Sequence, residues 1–274
     1  MWRALKQHWP EYLMEAAGLG LFMLAACGFG TLLEHPASPV QQALRWALGR
    51  RVLMGLAMAA TAVALIYSPW GKQSGAHLNP AVTLTFWRLG RVRGADALWY
   101  VLAQFAGGVS GVTVAAVLLK SNLSHPAVNY VATLPGNSGV AIAFLAEMAM
   151  TFIQMTVVLQ LSSRSNWARY TGLGAASLVA LYISIEAPLS GMSLNPARTF
   201  GSALIGQIWR AWWIYFTAPP LGMLAAAELF TRRHSKQQVA CAKLHHQNNR
   251  RCIFCGQPAQ ASNSARLSTA LGRV

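Results

Sequence analysis

Six stretches of the sequence are predominantly apolar, and each is long enough to cross a lipid bilayer as a helix. A helix rises about 1.5 Å per residue, so about 20 apolar residues span a hydrocarbon core of roughly 30 Å. Short segments that contain charged residues, glycine and proline separate these stretches. They cover residues 12–33, 52–69, 97–119, 139–161, 170–188 and 208–230. The pattern therefore predicts an all-α membrane protein with six transmembrane helices.

Two further apolar segments are too short to cross the membrane. Each follows a glycine-containing loop, begins with an Asn-Pro-Ala triplet and continues for only about eight or nine apolar residues. Asparagine is a good N-cap, and proline is favoured in a first helical turn, so each triplet predicts a helix start. We expect two re-entrant half-helices, whose irregular loops must line a cavity or be buried in protein. The triplets are Asn79-Pro80-Ala81 and Asn195-Pro196-Ala197.

The two halves of the sequence, about residues 11–119 and 139–230, resemble each other. Each half contains three long stretches, an odd number, so the second half enters the membrane from the opposite side. Such inverted repeats form their sites near the bilayer midplane, where broken helices meet. The matching segments are Tyr12–Glu15 with Phe144–Glu147, Ser74–Thr83 with Ser190–Thr199, and Ala103–Gly107 with Ala218–Gly222.

Composition and charge agree with this interpretation. The chain is 54% hydrophobic and 11% charged, whereas soluble domains carry about 25% charged residues. The net charge of +15 does not indicate nucleic-acid binding, because residues 231–274 alone hold eight of the 22 basic residues. With the N-terminus inside, the inner segments carry 16 basic residues and the outer ones six. The positive-inside rule therefore predicts a multi-pass protein of the plasma or bacterial inner membrane, with the N-terminus (1–10) and the tail (231–274) in the cytoplasm.

The half-helices define the candidate chemistry. Two helix N-termini that meet at the midplane present partial positive charges, which repel cations and hydronium. The amides of Asn79 and Asn195 can donate hydrogen bonds to a passing oxygen, and pores select solutes through such donors, diameter and electrostatic barriers. Arg198 is an ionisable residue at membrane depth, where side chains usually face a cavity and serve a function. It is either part of an outer constriction or a snorkelling side chain at a helix end.

Three other polar residues in the membrane segments leave alternatives open. Glu15 and Glu147 occupy matching places in the two halves, and each either accepts hydrogen bonds from loop backbone or couples transport to protons. His77 either holds loop backbone, lines the inner vestibule or senses pH.

The basic tail contains Cys241, His245, Cys252 and Cys255. Three cysteines and a histidine can supply the four ligands of a tetrahedral zinc ion. A redox dithiol and a disordered tail with incidental cysteines are the other interpretations.

The two loops, Ser74–Thr83 and Ser190–Gly201, resemble the signature loops of the aquaporin, or major intrinsic protein, family, and the resemblance covers about residues 10–230. It implies a channel rather than an enzyme, with no cofactor. It also implies a homotetramer with one pore per subunit and passive flow of water or small neutral solutes through the lipid bilayer. Family structures place Asn79, Asn195 and Arg198 in the pore and give Glu15 and Glu147 a role in supporting the loops.

The same resemblance predicts the residues of the outer constriction. Counting back from the triplets gives Ala59, or Met58 if the loop holds one extra residue, and Ile183; Met192 and Arg198 complete the filter. Family water channels usually have Phe and His at the first two positions. Thr199 is similar to water channels, since glycerol facilitators typically have Asp there. We therefore expect water to permeate, and glycerol, urea, ammonia and hydrogen peroxide remain candidates.

Two other functions fit parts of the sequence. Inverted repeats also occur in secondary transporters, so a proton-coupled transporter of a small solute would use Glu15 or Glu147. A membrane-anchored metal or redox sensor would instead act through the Cys/His tail. Proton-dependent flux would identify the first, and metal bound to the tail would identify the second.

Overall fold

The computed structural model describes residues 1–234 and 238–259, and helices are the only regular elements in these ranges. The α-helices are α1 (Trp2–Glu34), α2 (Pro39–Ala43), α3 (Ala47–Tyr67), α4 (Pro69–Ser74), α5 (Pro80–Arg88), α6 (Gly94–Leu119), α7 (Ser121–Ser124), α8 (Val140–Ser162), α9 (Thr171–Ile185), α10 (Ala187–Ser190), α11 (Pro196–Gly206) and α12 (Trp213–Arg233). Short 3₁₀ turns lie at Asn129–Val131 and Ala168–Tyr170.

The architecture confirms the predicted fold class. Five long helices, α1, α3, α6, α8 and α9 with its preceding turn, are long and apolar enough to cross a membrane. Helix α12 is as long as α3, with 21 residues, but Pro219, Pro220 and Glu228 make it less apolar. It completes the set of six. Helices α5 and α11, of nine and 11 residues, are the two half-helices.

The two halves interlock rather than pack side by side. Within the halves, α1 packs on α6 and α8 packs on α12, as an inverted repeat requires. Each half-helix also packs on the last long helix of the other half, α5 on α12 and α11 on α6. The two half-helices therefore lie inside one bundle, between helices of both repeats.

Glycines in α6 allow two of these contacts. Gly107 and Gly111 bring the backbone of α6 onto that of α1, because a side chain there would overlap backbone of Ala16 and Gly20. A Cβ on Gly108 would lie 2.5 Å from the carbonyl oxygen of Ala197 in α11. Small residues at such spacing permit close helix packing in membranes. The first turn of α11 thus rests directly on the backbone of α6.

The described part of the tail, residues 238–259, folds back onto the helix bundle. Val239, Ala242 and Leu244 are buried, and they belong to the same apolar cluster as Val82 of α5 and Met223 of α12. The rest of the predicted tail beyond His234, residues 235–237 and 260–274, lies outside the described residues.

Candidate functional site

A cavity of about 320 Å³ runs between the two halves. Both asparagines of the Asn-Pro-Ala triplets line it, together with side chains from α1, α3, α8, α9 and α12. Most of its other lining is apolar. The polar lining comes from Glu34, Arg51, His77, Asn79, Gln154, Ser193, Asn195 and Arg198.

The two triplets bind each other's loops by a reciprocal pair of hydrogen bonds. The Asn79 side-chain amide donates to the Leu194 carbonyl at 2.8 Å, and the Asn195 amide donates to the Leu78 carbonyl at 2.7 Å. The side-chain carbonyls cap the half-helices, since Asn79 accepts from the Ala81 N–H and Asn195 from the Ala197 N–H. The N-termini of α5 and α11 are therefore held together beside the cavity.

Each of these amides keeps a donor for the cavity. A side-chain amide carries two N–H groups, and in each asparagine one of them serves the cross-loop bond. The described residues supply no acceptor for the second. A solute oxygen in the cavity can accept it.

Glu15 and Glu147 hold the two loops in the same way. Glu15 is fully buried and accepts from the backbone of His77 and Leu78 at 3.1 and 2.7 Å. Glu147 is equally buried and accepts from the backbone of Ser193 and Leu194 at 2.6 and 2.8 Å. The preceding loop serine also donates to each carboxylate, Ser74 to Glu15 and Ser190 to Glu147.

These bonds stabilise unusual backbone. Leu78 and Leu194 have positive φ values of 49° and 58°, as do Ala76 and Met192 at 54° and 50°. Left-handed conformations of such residues are costly and persist only where the surroundings fix them. The buried carboxylates supply that constraint in both loops.

Arg198, Ile183 and Met192 all line the cavity, as predicted for an outer constriction. The guanidinium of Arg198 has one nitrogen, Nη1, that is buried without a hydrogen-bond partner among the described residues. An unpaired buried donor beside a cavity is available to a solute, because leaving it unpaired costs about 1–3 kcal/mol.

Of the two residues of α3 considered for the filter, Ala59 and Met58, only Met58 lies in the cavity lining. Met58 lines the cavity and is 1% exposed, whereas Ala59 does not line it. The register differs by one because the residues after α3 form the separate helix α4, capped by Ser68, before the loop begins. The candidate filter therefore contains Met58, Ile183, Met192 and Arg198.

Sequence reasoning missed several lining residues. Five methionines line the cavity, and only two of them were candidates. Thioether side chains are flexible and polarizable, so they leave the passage soft and weakly polar. The other missed residues include Arg51, which also donates to the Ser184 carbonyl at 3.2 Å, and Leu244 of the tail. The methionines are Met54, Met58, Met155, Met192 and Met223.

His77 lines the cavity at the end opposite to Arg198, and it binds the tail. Its Nε2 lies 2.8 Å from the Ala242 carbonyl, to which it must donate, and its Nδ1 lies 3.0 Å from the Thr83 hydroxyl. The ring of Phe254 stacks on it, with centroids 5.4 Å apart and planes 3° apart. Of the three roles considered for His77, the structure agrees with lining the cavity and adds contact with the tail.

The tail brings together three of the four predicted ligands and replaces the fourth. The ligand atoms of Cys241, His246, Cys252 and Cys255 all lie within 4.8 Å of one another. His245 is not in this group; its ring packs on Tyr67 with centroids 4.8 Å apart. The prediction of His245 was wrong because spacing alone does not distinguish two adjacent histidines that point in different directions.

The two buried cysteines of the tail cluster shift in opposite directions: their mutual hydrogen bond, together with burial, raises the pKa of the Cys241 thiol, and thiolate is favoured at Cys252. The hydrogen bond from the Cys241 thiol lowers the pKa of Cys252, and the nearby His246 and Lys243 act in the same direction. Burial lowers the pKa of His245, with a further contribution from Lys72.

A helical membrane bundle with two half-helices joined at an internal passage defines the class of polytopic membrane channels. The chain belongs to the major intrinsic protein family, whose model matches residues 1–230. It is 33% identical over 225 residues to the glycerol uptake facilitator protein-like 6 of Lactiplantibacillus plantarum, covering 79% of this chain and 94% of that protein. It is 35% identical over 218 residues to aquaporin NIP1-4 of Oryza sativa, covering 78% of this chain and 74% of that one.

A solved structure gives the same fold. The aquaglyceroporin from Plasmodium falciparum matches with a TM-score of 0.66 at 20% identity, covering 84% of this chain and 98% of that chain. The family confirms a multi-pass membrane channel.

Proposed function

We propose that the protein is a passive channel that conducts water and small neutral solutes and excludes ions and protons. The observation that carries this proposal is the reciprocal pair of Asn79 and Asn195, each with one amide N–H free beside a mostly apolar cavity. Two donors in an apolar passage compensate a neutral solute for part of its lost hydration. The relatives named as an aquaporin and a glycerol uptake facilitator support the same solute class.

Electrostatics supports the exclusion of cations. The half-helices meet N-terminus to N-terminus, so two partial positive charges adjoin the passage. Arg198 adds a third positive group to the lining. A cation would lose hydration in this passage, and the carboxylate of the lining, Glu34, is already paired with Arg50.

The lining supports a broader solute range than water alone. Met58, Ile183 and Met192 line the same cavity as Arg198 with apolar side chains, which accept the carbon skeleton of a solute such as glycerol. Urea, ammonia and hydrogen peroxide are further candidates, since each is small, neutral and polar.

Proton-coupled transport has less support. Glu15 and Glu147 are fully buried, are not part of the cavity lining and accept several hydrogen bonds each from the loops. Carboxylates so placed stabilise loop backbone.

We also propose that the subunits form a homotetramer in the cell membrane. The family resemblance implies the tetramer, and the distribution of basic residues implies that both termini lie in the cytoplasm.

Stopped-flow light scattering on proteoliposomes tests the channel. We expect the water flux to exceed that of empty liposomes and to have a low activation energy. The fluxes of glycerol, urea and peroxide, measured on the same preparation, should rise linearly with the concentration gradient. Flux that saturates and depends on an imposed pH gradient would replace the channel by a coupled transporter.

A further inference from the structure

Four potential metal ligands meet in the tail, away from the asparagine pair. Cys241 Sγ lies 3.4 Å from Cys252 Sγ, and His246 Nε2 lies 3.2 Å from Cys255 Sγ. Zinc–sulfur bonds of about 2.3 Å in a tetrahedron separate the sulfurs by roughly 3.8 Å. The four atoms, all within 4.8 Å of one another, therefore need only small movements to enclose one ion.

The backbone around the cysteines is compact enough to hold these side chains. Cys252 donates its N–H to the Gln257 carbonyl at 2.8 Å, and Gly256 donates to the Cys252 carbonyl at 3.0 Å. Gly256 has a φ of 76°, which favours glycine directly after Cys255. The Cys-x-x-Cys pair thus lies on a closed turn, and a set of three thiolates and an imidazole favours zinc over harder cations.

The segment that carries the ligands is fastened to the His77 end of the passage. Leu244 donates its N–H to the Gly75 carbonyl at 3.1 Å, and the Lys243 ammonium donates to the Lys72 carbonyl at 2.8 Å. The Arg251 guanidinium donates to both carboxylate oxygens of Glu11 in α1, at 2.7 and 2.6 Å.

One tail side chain lines the passage, and a second packs on a residue of its lining. Leu244 is 7% exposed and is part of the cavity lining. Phe254 lies between the two cysteines of the turn and stacks on His77, which is also part of the lining. A tail that folds around a metal would therefore fold over this opening.

We propose that Cys241, His246, Cys252 and Cys255 bind one zinc ion, and that the metal-bound tail is a plug over the His77 end of the channel. Metal binding and folding are coupled in small sites of this kind, since the ligands converge only in the folded segment. Zinc then favours the covered state of the passage, and its removal frees Leu244 and Phe254 to leave. The plug rests on the proposed channel function; the metal site does not.

Metal analysis of the purified full-length protein tests the site. We expect equimolar zinc in the wild type and in His245→Ala, which serves as the matched control because His245 lies outside the cluster, next to the ligand His246. His246→Ala and Cys255→Ser should bind zinc at least about tenfold more weakly, as losses at metal sites typically do. Zinc absent from the wild type, or retained equally by all three variants, would overturn the site. A disulfide between Cys241 and Cys252, seen by thiol titration before and after reduction, would also overturn it.

Water flux through reconstituted protein tests the plug. Chelation of zinc from the wild type should raise flux several-fold, and Cys255→Ser should show the raised flux without chelator. Arg251→Ala keeps all four ligands but loses the contact with Glu11, so it should bind zinc and still show raised flux. Equal flux with and without zinc would overturn the plug while leaving the metal site intact. An absence of flux in every variant would instead overturn the proposed channel and the plug with it.

Discussion

The loops that precede the two half-helices share one frame and differ at their outer contacts. In both, a buried glutamate accepts from two backbone N–H groups, a tyrosine hydroxyl donates to a serine carbonyl, and an asparagine caps the helix. In the first loop His77 contacts Thr83, whereas in the second Ser193 contacts Thr199 at 2.6 Å. The shared bonds fix the backbone conformation of both loops. The exchange of histidine for serine changes the side-chain contacts, since His77 also reaches the tail whereas Ser193 contacts Thr199.

A second difference lies in the supporting helices. Gln104 in α6 donates to Glu15 at 2.9 Å and to Thr83 at 3.0 Å. The matching position in α12 is Pro219, which has no donor, and there Thr199 instead contacts Thr133 at 2.8 Å. The first loop is therefore supported by a side chain of the long helix α6, and the second by Thr133 in the connection between the two halves. The same hydrogen bonds to the loop backbone thus form in both halves although different residues support the two loops.

Removing the shared carboxylates should have the largest effect. Glu147→Ala leaves the N–H groups of Ser193 and Leu194 buried and unpaired, at about 1–3 kcal/mol each. We expect loss of folded protein or a thermal transition lowered by several degrees in detergent. Glu147→Gln keeps one carbonyl acceptor and should be less affected. A transition of Glu147→Ala equal to that of the wild type would contradict the shared frame.

The reciprocal asparagines should have the next largest effect. Asn79→Ala and Asn195→Ala each lose a cap worth about 1 kcal/mol and the cross-loop bond. Both should lower water flux per folded channel by similar amounts, because the two bonds are equivalent. Stopped-flow scattering normalised to reconstituted protein measures this. A strongly unequal loss would show that one half dominates the barrier.

Arg198 should change selectivity more than stability. Arg198→Ala removes the positive charge from one end only, so cations or larger solutes should pass more readily while assembly is unchanged. Conductance and a panel of sugar alcohols measure the change. Arg210→Ala is the matched control, because Arg210 is exposed and does not line the cavity. Unchanged selectivity in Arg198→Ala would remove this residue from the filter.

The register in α3 should have the smallest effect. Met58→Ala widens the passage where α3 lines it and should raise glycerol flux, whereas Ala59→Leu should leave glycerol flux close to that of the wild type. If Ala59→Leu changed glycerol flux and Met58→Ala did not, Ala59 would be the filter residue of α3, as the count back from Asn79 without an extra residue predicts.

The sequence predicted the half-helices and six spans well because they depend on local patterns. An apolar run and a capped proline triplet specify a helix without knowledge of its neighbours. The position in α3 stayed open between Ala59 and Met58, because the extra helix α4 shifts the count by one and no periodicity reveals that helix. The contacts of the tail with His77, Gly75 and Glu11 were also beyond prediction, since they join residues more than 160 positions apart.

The glycine contact between α6 and α11 means that a substitution in α6 can change the pore. Gly108 lies against the Ala197 carbonyl, one residue from Arg198. A methyl group at Gly108 would push the half-helix inward, because backbone cannot yield as a flexible side chain does. A substitution at Gly108, which does not line the cavity, would then change the width of the cavity. Changes at this position should therefore be interpreted as changes to the pore and not as changes to the lipid-facing surface.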